Sequence, residues 1–245
     1  MSTAQPFSDV QAHGELRQVL PGIHFVTGSL ALGRLMPVRF SRNMTVIAQD
    51  GALTLINSVR LDGGGLRALD ALGEVKHVVR LAGFHGMDDP FYKDRYGAKV
   101  WSVDAPYVKG FGENPKRYFE ADAVLDEQTE LPIKGSRVVL FKSAHPGEGL
   151  LFLDREGGVV ISGDCLQHWA HTNEYFNLPA RIMMRMMGFI KPHNVGPGWL
   201  KAAKPDRSEI RKVFNGLEFE NVLPAHGEPV IGNAKTNYLP AVEAL

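Results

Sequence analysis

Residues 158–168 read GVVISGDCLQH: an apolar, β-branched run passes into Ser162-Gly163, and Asp164 follows where that run ends. An apolar segment this short, bounded by turn residues, predicts a buried strand. Three other stretches repeat the arrangement: VVRLAGFHGMDD (78–89), VVLFKSAHPGEG (138–149) and NVLPAHGEPV (221–230). Each is a short apolar strand that runs into a loop holding a His or an Asp. Side chains at the ends of neighbouring strands converge on one rim, so His85, His145, Asp164 and His226 are expected to meet. Imidazole and carboxylate are the ligand types that suit zinc, iron or manganese. Gly83, Gly86, Gly147, Gly163 and Gly227 flank them, and glycine lets such loops turn tightly.

The remaining segments supply the architecture. MTVIAQ (44–49), Asp50-Gly51 and ALTLIN (52–57) read as a β-hairpin with a favoured turn dipeptide. IHFVT (23–27) reads as a strand after an irregular lead-in over residues 1–20. LDGGGLRALDAL (61–72) is helical, KHVVRLAG (76–83) a strand, PFYKDRYG (90–97) a short helix and AKVWSV (98–103) a strand. A second set follows: SRVVLFKS (136–143), GLLFLD (149–154) and GVVISGD (158–164). DRSEIRKVFNGL (206–217) carries helix boundary signals, FENVLPAHG (219–227) is a strand into a loop, and the last residues from about Ala234 are helical. An insertion over about 165–205 holds one helix, PARIMMRMMGF (179–189). Hairpins demand antiparallel neighbours, which excludes a purely parallel sheet. Two sheets with helices outside them fit this order.

Bulk composition narrows the function classes. The chain has 245 residues, 44% of them apolar, which suits one globular domain over 1–245. Its 27 basic residues balance 27 acidic ones, so no overall charge argues for nucleic acid or an anionic membrane as a partner. Cys165 is the sole cysteine, which excludes an internal disulfide and a cysteine-based zinc cluster. The polar N-terminal stretch lacks a signal pattern, and no apolar run reaches the roughly 18 residues of a membrane span. A cytoplasmic protein acting on a small molecule is the expectation.

With these four loops in this order, the chain resembles the metallo-β-lactamase superfamily from about residue 20 to 235. LPAHGEP is similar to the family's last ligand loop, VVISGD to the strand with its bridging aspartate, and SAHPGEG to the loop of its third histidine. The resemblance implies a four-layer αββα sandwich of two mixed sheets with outer helices. The family's His-x-His-x-Asp-His motif is altered. Gly83-Phe84-His85-Gly86-Met87-Asp88 keeps only the second histidine, and Asn57-Ser58 stands where the family has Asp. The resemblance assigns His85, Asp88, His145, Asp164 and His226 as metal ligands, with one divalent ion rather than two, zinc first and iron or manganese as alternatives. It implies a metal-dependent hydrolase working through metal-activated water. Met87 cannot take a proton, so Asp88 or Asp89 is expected to serve as the catalytic carboxylate. A non-catalytic binding or scaffold protein and a non-haem iron oxidoreductase are the two other readings.

Other features read as structural. His13, His24 and His77 suit surface or hydrogen-bonding roles, as do His168 and His171. GGGLRA (63–68) matches a dinucleotide fingerprint, but the preceding hairpin is no βαβ start. Ser162 lacks the glycines of a nucleophile elbow, and Cys165 suits a buried small hydrophobe. The Met-rich helix around Met183, Met184, Met186 and Met187 packs on the core or on a second subunit of a homodimer, or forms a pliant wall over the site.

Overall fold

A computed structural model of the chain describes residues 7–33, 37–109 and 116–245. The first sheet begins with β1 (Arg17–Leu20), β2 (Ile23–Leu32), β3 (Val38–Gln49), β4 (Ala52–Ile56), β5 (Glu74–Arg80) and β6 (Lys99–Ser102). The short pair β7 (Tyr107–Lys109) and β8 (Lys116–Phe119) stands beside it, and β9 (Ala123–Val124) closes its edge. Strands β1 to β4 are antiparallel, whereas β4, β5, β6 and β9 run parallel. Gln49 pairs with Ala52 across Asp50-Gly51, both at positive φ, as the hairpin reading requires. The second sheet takes the order β10 (Ser136–Phe141), β11 (Glu148–Leu153), β12 (Val159–Ser162), β15 (Asn221–Pro224) and β16 (Val230–Ile231). Only β12 and β15 are parallel in it. Both sheets are therefore mixed.

Period-2 alternation sends successive side chains to opposite faces, and here both faces are apolar. Ile47, Ile56, Val79, Leu151, Leu153, Val159, Ile161 and Leu223 meet between the sheets. Their strand neighbours Val46, Leu55 and Val78 turn outward to pack with Leu66, Leu69 and Tyr92. These come from helices α1 (Gly63–Asp70) and α2 (Asp89–Tyr96). On the far side, Leu150, Phe152 and Val160 pack with Trp199, Ile210, Phe214, Tyr238 and Val242. That layer contains α4 (Pro197–Ala202), α5 (Arg207–Asn215) and α6 (Ala234–Glu243). Four layers, αββα, result. Each buried aliphatic contributes about 1.5–3 kcal/mol.

The insertion is more structured than one helix. It holds α3 (Leu178–Met186), the two-residue strands β13 (Leu166–Gln167) and β14 (Asn194–Val195), and α4. Ala180 and Met184 of α3 pack on Trp169 and Phe176. Asn177 caps α3 by accepting from the Ala180 N–H, and it also accepts the Arg39 N–H, which ties the helix to β3. GGGLRA opens α1 under an Asp62 cap. No helix among the described residues is long and apolar enough to cross a membrane.

Candidate metal centre

Strand pairing aligns two of the loops. Ser162 pairs with Pro224, so Asp164 and His226 each stand two residues past the same rung. His85 arrives from the first sheet. Its loop is joined to the second where Gly83 N–H donates to Gly147 O and Gly149 N–H to Leu81 O, both at 2.8 Å. Asn57 crosses the same gap: its Oδ1 accepts the Leu81 N–H and its amide donates to Ser162 O, each at 3.1 Å. The buried Arg80 lies over the Tyr107 ring and donates to the carbonyls of Ala82 and Gly83. That bonding fixes where the His85 loop leaves β5. At Gly227, φ is +97° and an added Cβ would stand 2.0 Å from His168 O, so only glycine lets the His226 loop close on β13.

Three side chains meet at this rim. His85 Nε2 lies 3.2 Å from His226 Nε2, His226 Nε2 3.0 Å from Asp164 Oδ1, and His85 Nε2 3.4 Å from Asp164 Oδ2. All three side chains are largely buried. His226 Nδ1 faces the Ser41 carbonyl at 3.4 Å. With Nδ1 donating there, Nε2 presents a lone pair to the other two groups. Asp164 Oδ2 is buried without a hydrogen bond. Burial alone would raise the Asp164 pKa, but the imidazoles of His85 and His226 outweigh it and hold the carboxyl well below the usual range. Lone pairs gathered this closely repel unless a proton or a metal cation stands among them. A tetrahedral ion with bonds of about 2.0–2.1 Å spaces its ligand atoms by about 3.3–3.4 Å, close to the 3.2 Å between the two imidazole nitrogens and the 3.0 Å from His226 to Asp164 Oδ1. The residues fit a divalent metal.

The structure gives the other expected residues different surroundings. Asp88 is fully buried and accepts from Arg42, from Ser8 Oγ and from the Arg60 N–H at 2.8 Å. Asp89, also buried, accepts from Ser58 Oγ and Tyr107 Oη at 2.6 Å each. Both carboxylates face buried donors and stand outside the His85–Asp164–His226 group. His145 is exposed and also outside it. Among the described residues this is the one group of three such side chains able to share an ion.

Residues that the sequence did not mark complete the site. Glu148, buried at the head of β11, accepts the N–H groups of Asp164 and Cys165 on Oε1 at 2.7 and 2.9 Å. Burial, then the Asp164 charge, push its carboxyl pKa well up. A charged residue opening the all-apolar strand EGLLFL was the available signal. The rings of Trp169 and Phe40 flank His226 at 4.9 and 6.3 Å between centroids. The His168 ring lies tilted against that of His193 and accepts the His193 backbone N–H on Nδ1. Cys165 is a buried thiol, its pKa pushed up by burial and by Glu148.

No protein-family model matches the chain, and no curated protein matches it in sequence. Solved structures do. VMB-1 superposes with a TM-score of 0.61 at 12% identity, over 96% of this chain and 99% of that one. FIM-1 from Pseudomonas aeruginosa, a metallo-β-lactamase in its mono-zinc form, gives 0.60 at 10% identity over 96% of each chain. The DIM-1 metallo-β-lactamase exposed to ceftazidime gives 0.59 at 12% identity, over 97% of this chain and 99% of that one. Identities this low carry the fold alone.

Proposed function

We propose, from the premise that this chain has the metallo-β-lactamase fold, that it is a metal-dependent hydrolase of a small-molecule substrate. A single divalent ion, zinc first, would be held by His85, Asp164 and His226. The observation that carries this reading is the convergence of three side chains whose nitrogen and oxygen atoms lie 3.0–3.4 Å apart. The mono-zinc form of FIM-1, with a related fold, lends support to one ion.

Such an ion would supply Lewis acidity, polarising a substrate oxygen and bringing the pKa of bound water down to about 7. The chain's own residues do the rest. His226 is oriented by Ser41 O, and Glu148 fixes the backbone of Asp164. Trp169 and Phe40 shield the His226 side from water. Asp88 and Asp89 are engaged by Arg42, Ser58 and Tyr107, so neither is free to take a proton during turnover.

Two histidines and one carboxylate also form the ligand set of non-haem iron oxygenases, which supports iron redox chemistry as a second reading. Elemental analysis and calorimetric titration of metal-stripped protein test both. One zinc per chain is expected, lost in His226→Ala and Asp164→Ala, with ester hydrolysis abolished by chelation and restored by zinc. Iron retention with oxygen consumption would select the second reading. Failure to take up zinc, iron or manganese would sink the metal centre altogether.

A further inference from the structure

We propose that the outward face of α3 docks on an anionic lipid membrane. In this arrangement Leu178, Ile182, Met183 and Met186 enter the headgroup–acyl boundary, and Arg185 and Lys191 meet lipid phosphates. The helix turns Ala180 and Met184, four residues apart, toward Trp169 and Phe176. Its opposite side carries Leu178, Ile182 and Met186 at i, i+4 and i+8, exposed by 68%, 54% and 84%, with Met183 and Met187 beside them. Five of the eleven exposed large apolar side chains among the described residues thus fall within ten consecutive positions, one patch rather than scattered exposure. The patch cannot fold inward, because the Asn177 cap and its bonds to Arg39 N–H and Pro37 O hold the helix against β3.

Charge selects the occupant. From Asn177 to Pro192 the charged residues are Arg181, Arg185 and Lys191, all exposed and all cationic, in a chain of zero net charge. Arg181 is bonded to the Phe176 and Asn173 carbonyls. Neither Arg185 nor Lys191 makes a side-chain hydrogen bond or ion pair with another described residue, so both are available to an anion.

 A second copy of the same face would bring these like charges together across a two-fold axis, whereas an anionic surface complements them. Four of the chain's eight methionines lie at 183–187. Flexible thioether side chains conform to a surface without fixed shape, such as lipid chains. Nine residues reach less than half of a membrane span, so the helix lies on the bilayer, in the manner of interfacial amphipathic helices. The whole-chain balance of charge conceals this local asymmetry, which is why composition alone pointed away from a membrane.

The proposal is independent of the metal centre and is tested without it. Full-length protein is sedimented with vesicles of phosphatidylcholine alone and of phosphatidylcholine mixed with phosphatidylglycerol. Binding to the anionic vesicles is expected, weakening as salt is raised. The double variant I182E/M186E is expected to lose roughly tenfold or more in affinity, and Arg185→Gln to lose several-fold on anionic vesicles only. Circular dichroism and thermal melts confirm that both variants fold, since all three side chains are exposed. Three results would each overturn the proposal: no binding by the wild type, variants that bind equally well, or a wild-type dimer that Met186→Glu dissociates. The last would assign the face to a second copy of the chain.

Discussion

Asp88 shows what a single residue owes to partners remote in sequence. It stands in the loop of His85, three positions on, where a ligand or a proton acceptor is expected. Its carboxylate instead neutralises Arg42, 46 residues away, while accepting the Arg60 N–H and Ser8 Oγ. The Arg42 side chain is itself nearly buried. Asp88→Ala leaves that guanidinium unpaired in a low-dielectric setting, so a loss of about 3–5 kcal/mol is expected in urea unfolding. Replacing both partners, as R42M/D88L, is expected to recover much of it. Metal stoichiometry should persist in folded Asp88→Ala protein; unchanged stability with lost metal would make Asp88 a ligand after all. His85, Asp164 and His226 were legible in the sequence because each follows the end of an apolar strand. The engagements of Asp88 and Asp89 were not, because Arg42, Ser58 and Tyr107 reach them only through tertiary folding.

At the scale of elements, the same distinction separates what periodicity carries from what it cannot. The hairpin of β3 and β4, the strands β5, β10, β11 and β12, and the helices α1 and α5 announce themselves by short apolar runs, helical spacing, turn residues and boundary signals. Strands β13, β14 and β16 hold two residues each, too few to show a period, and depend on neighbours for their hydrogen bonds. Pairing between β5 and β6 also sets a titration. His77 pairs with Lys99, and its Nδ1 accepts from the Trp101 indole at 3.4 Å. Burial, then Lys99 and Lys76, lower the His77 pKa below 6.5. The unfolded chain therefore takes up this proton first as pH falls through 6.5, and stability contributed by neutral His77 is lost below that value. His77→Gln removes the titrating group. Chemical unfolding of the two proteins across the acid range should show a steeper loss for the wild type below pH 6.5; parallel curves would mean that His77 is equally easy to protonate in both states.

For the whole molecule, the site is a consequence of two sheets closing on one another. Asp164 and His226 belong to the second sheet, His85 to the first, and Asn57 and the Gly83–Gly147 contact join the sheets beside them. An ion bound by all three side chains requires the closed sandwich, so binding energy adds directly to folding energy. Zinc at a hundred times its Kd is expected to add about 2.7 kcal/mol, which for a chain of this length raises Tm by roughly 5–11 °C. Leu151 lies between the sheets and is fully buried. Leu151→Ala is expected to cost about 2–5 kcal/mol in zinc-free and zinc-saturated protein alike, because it weakens the closure and leaves the ligands in place. His226→Ala should instead leave the zinc-free Tm near that of the wild type and abolish the zinc increment. Calorimetric scans of the three proteins, with and without zinc, separate the two effects. A zinc increment surviving in His226→Ala would place the ion elsewhere, and an increment lost in Leu151→Ala would mean that sheet packing sets the ligand geometry as well as the fold.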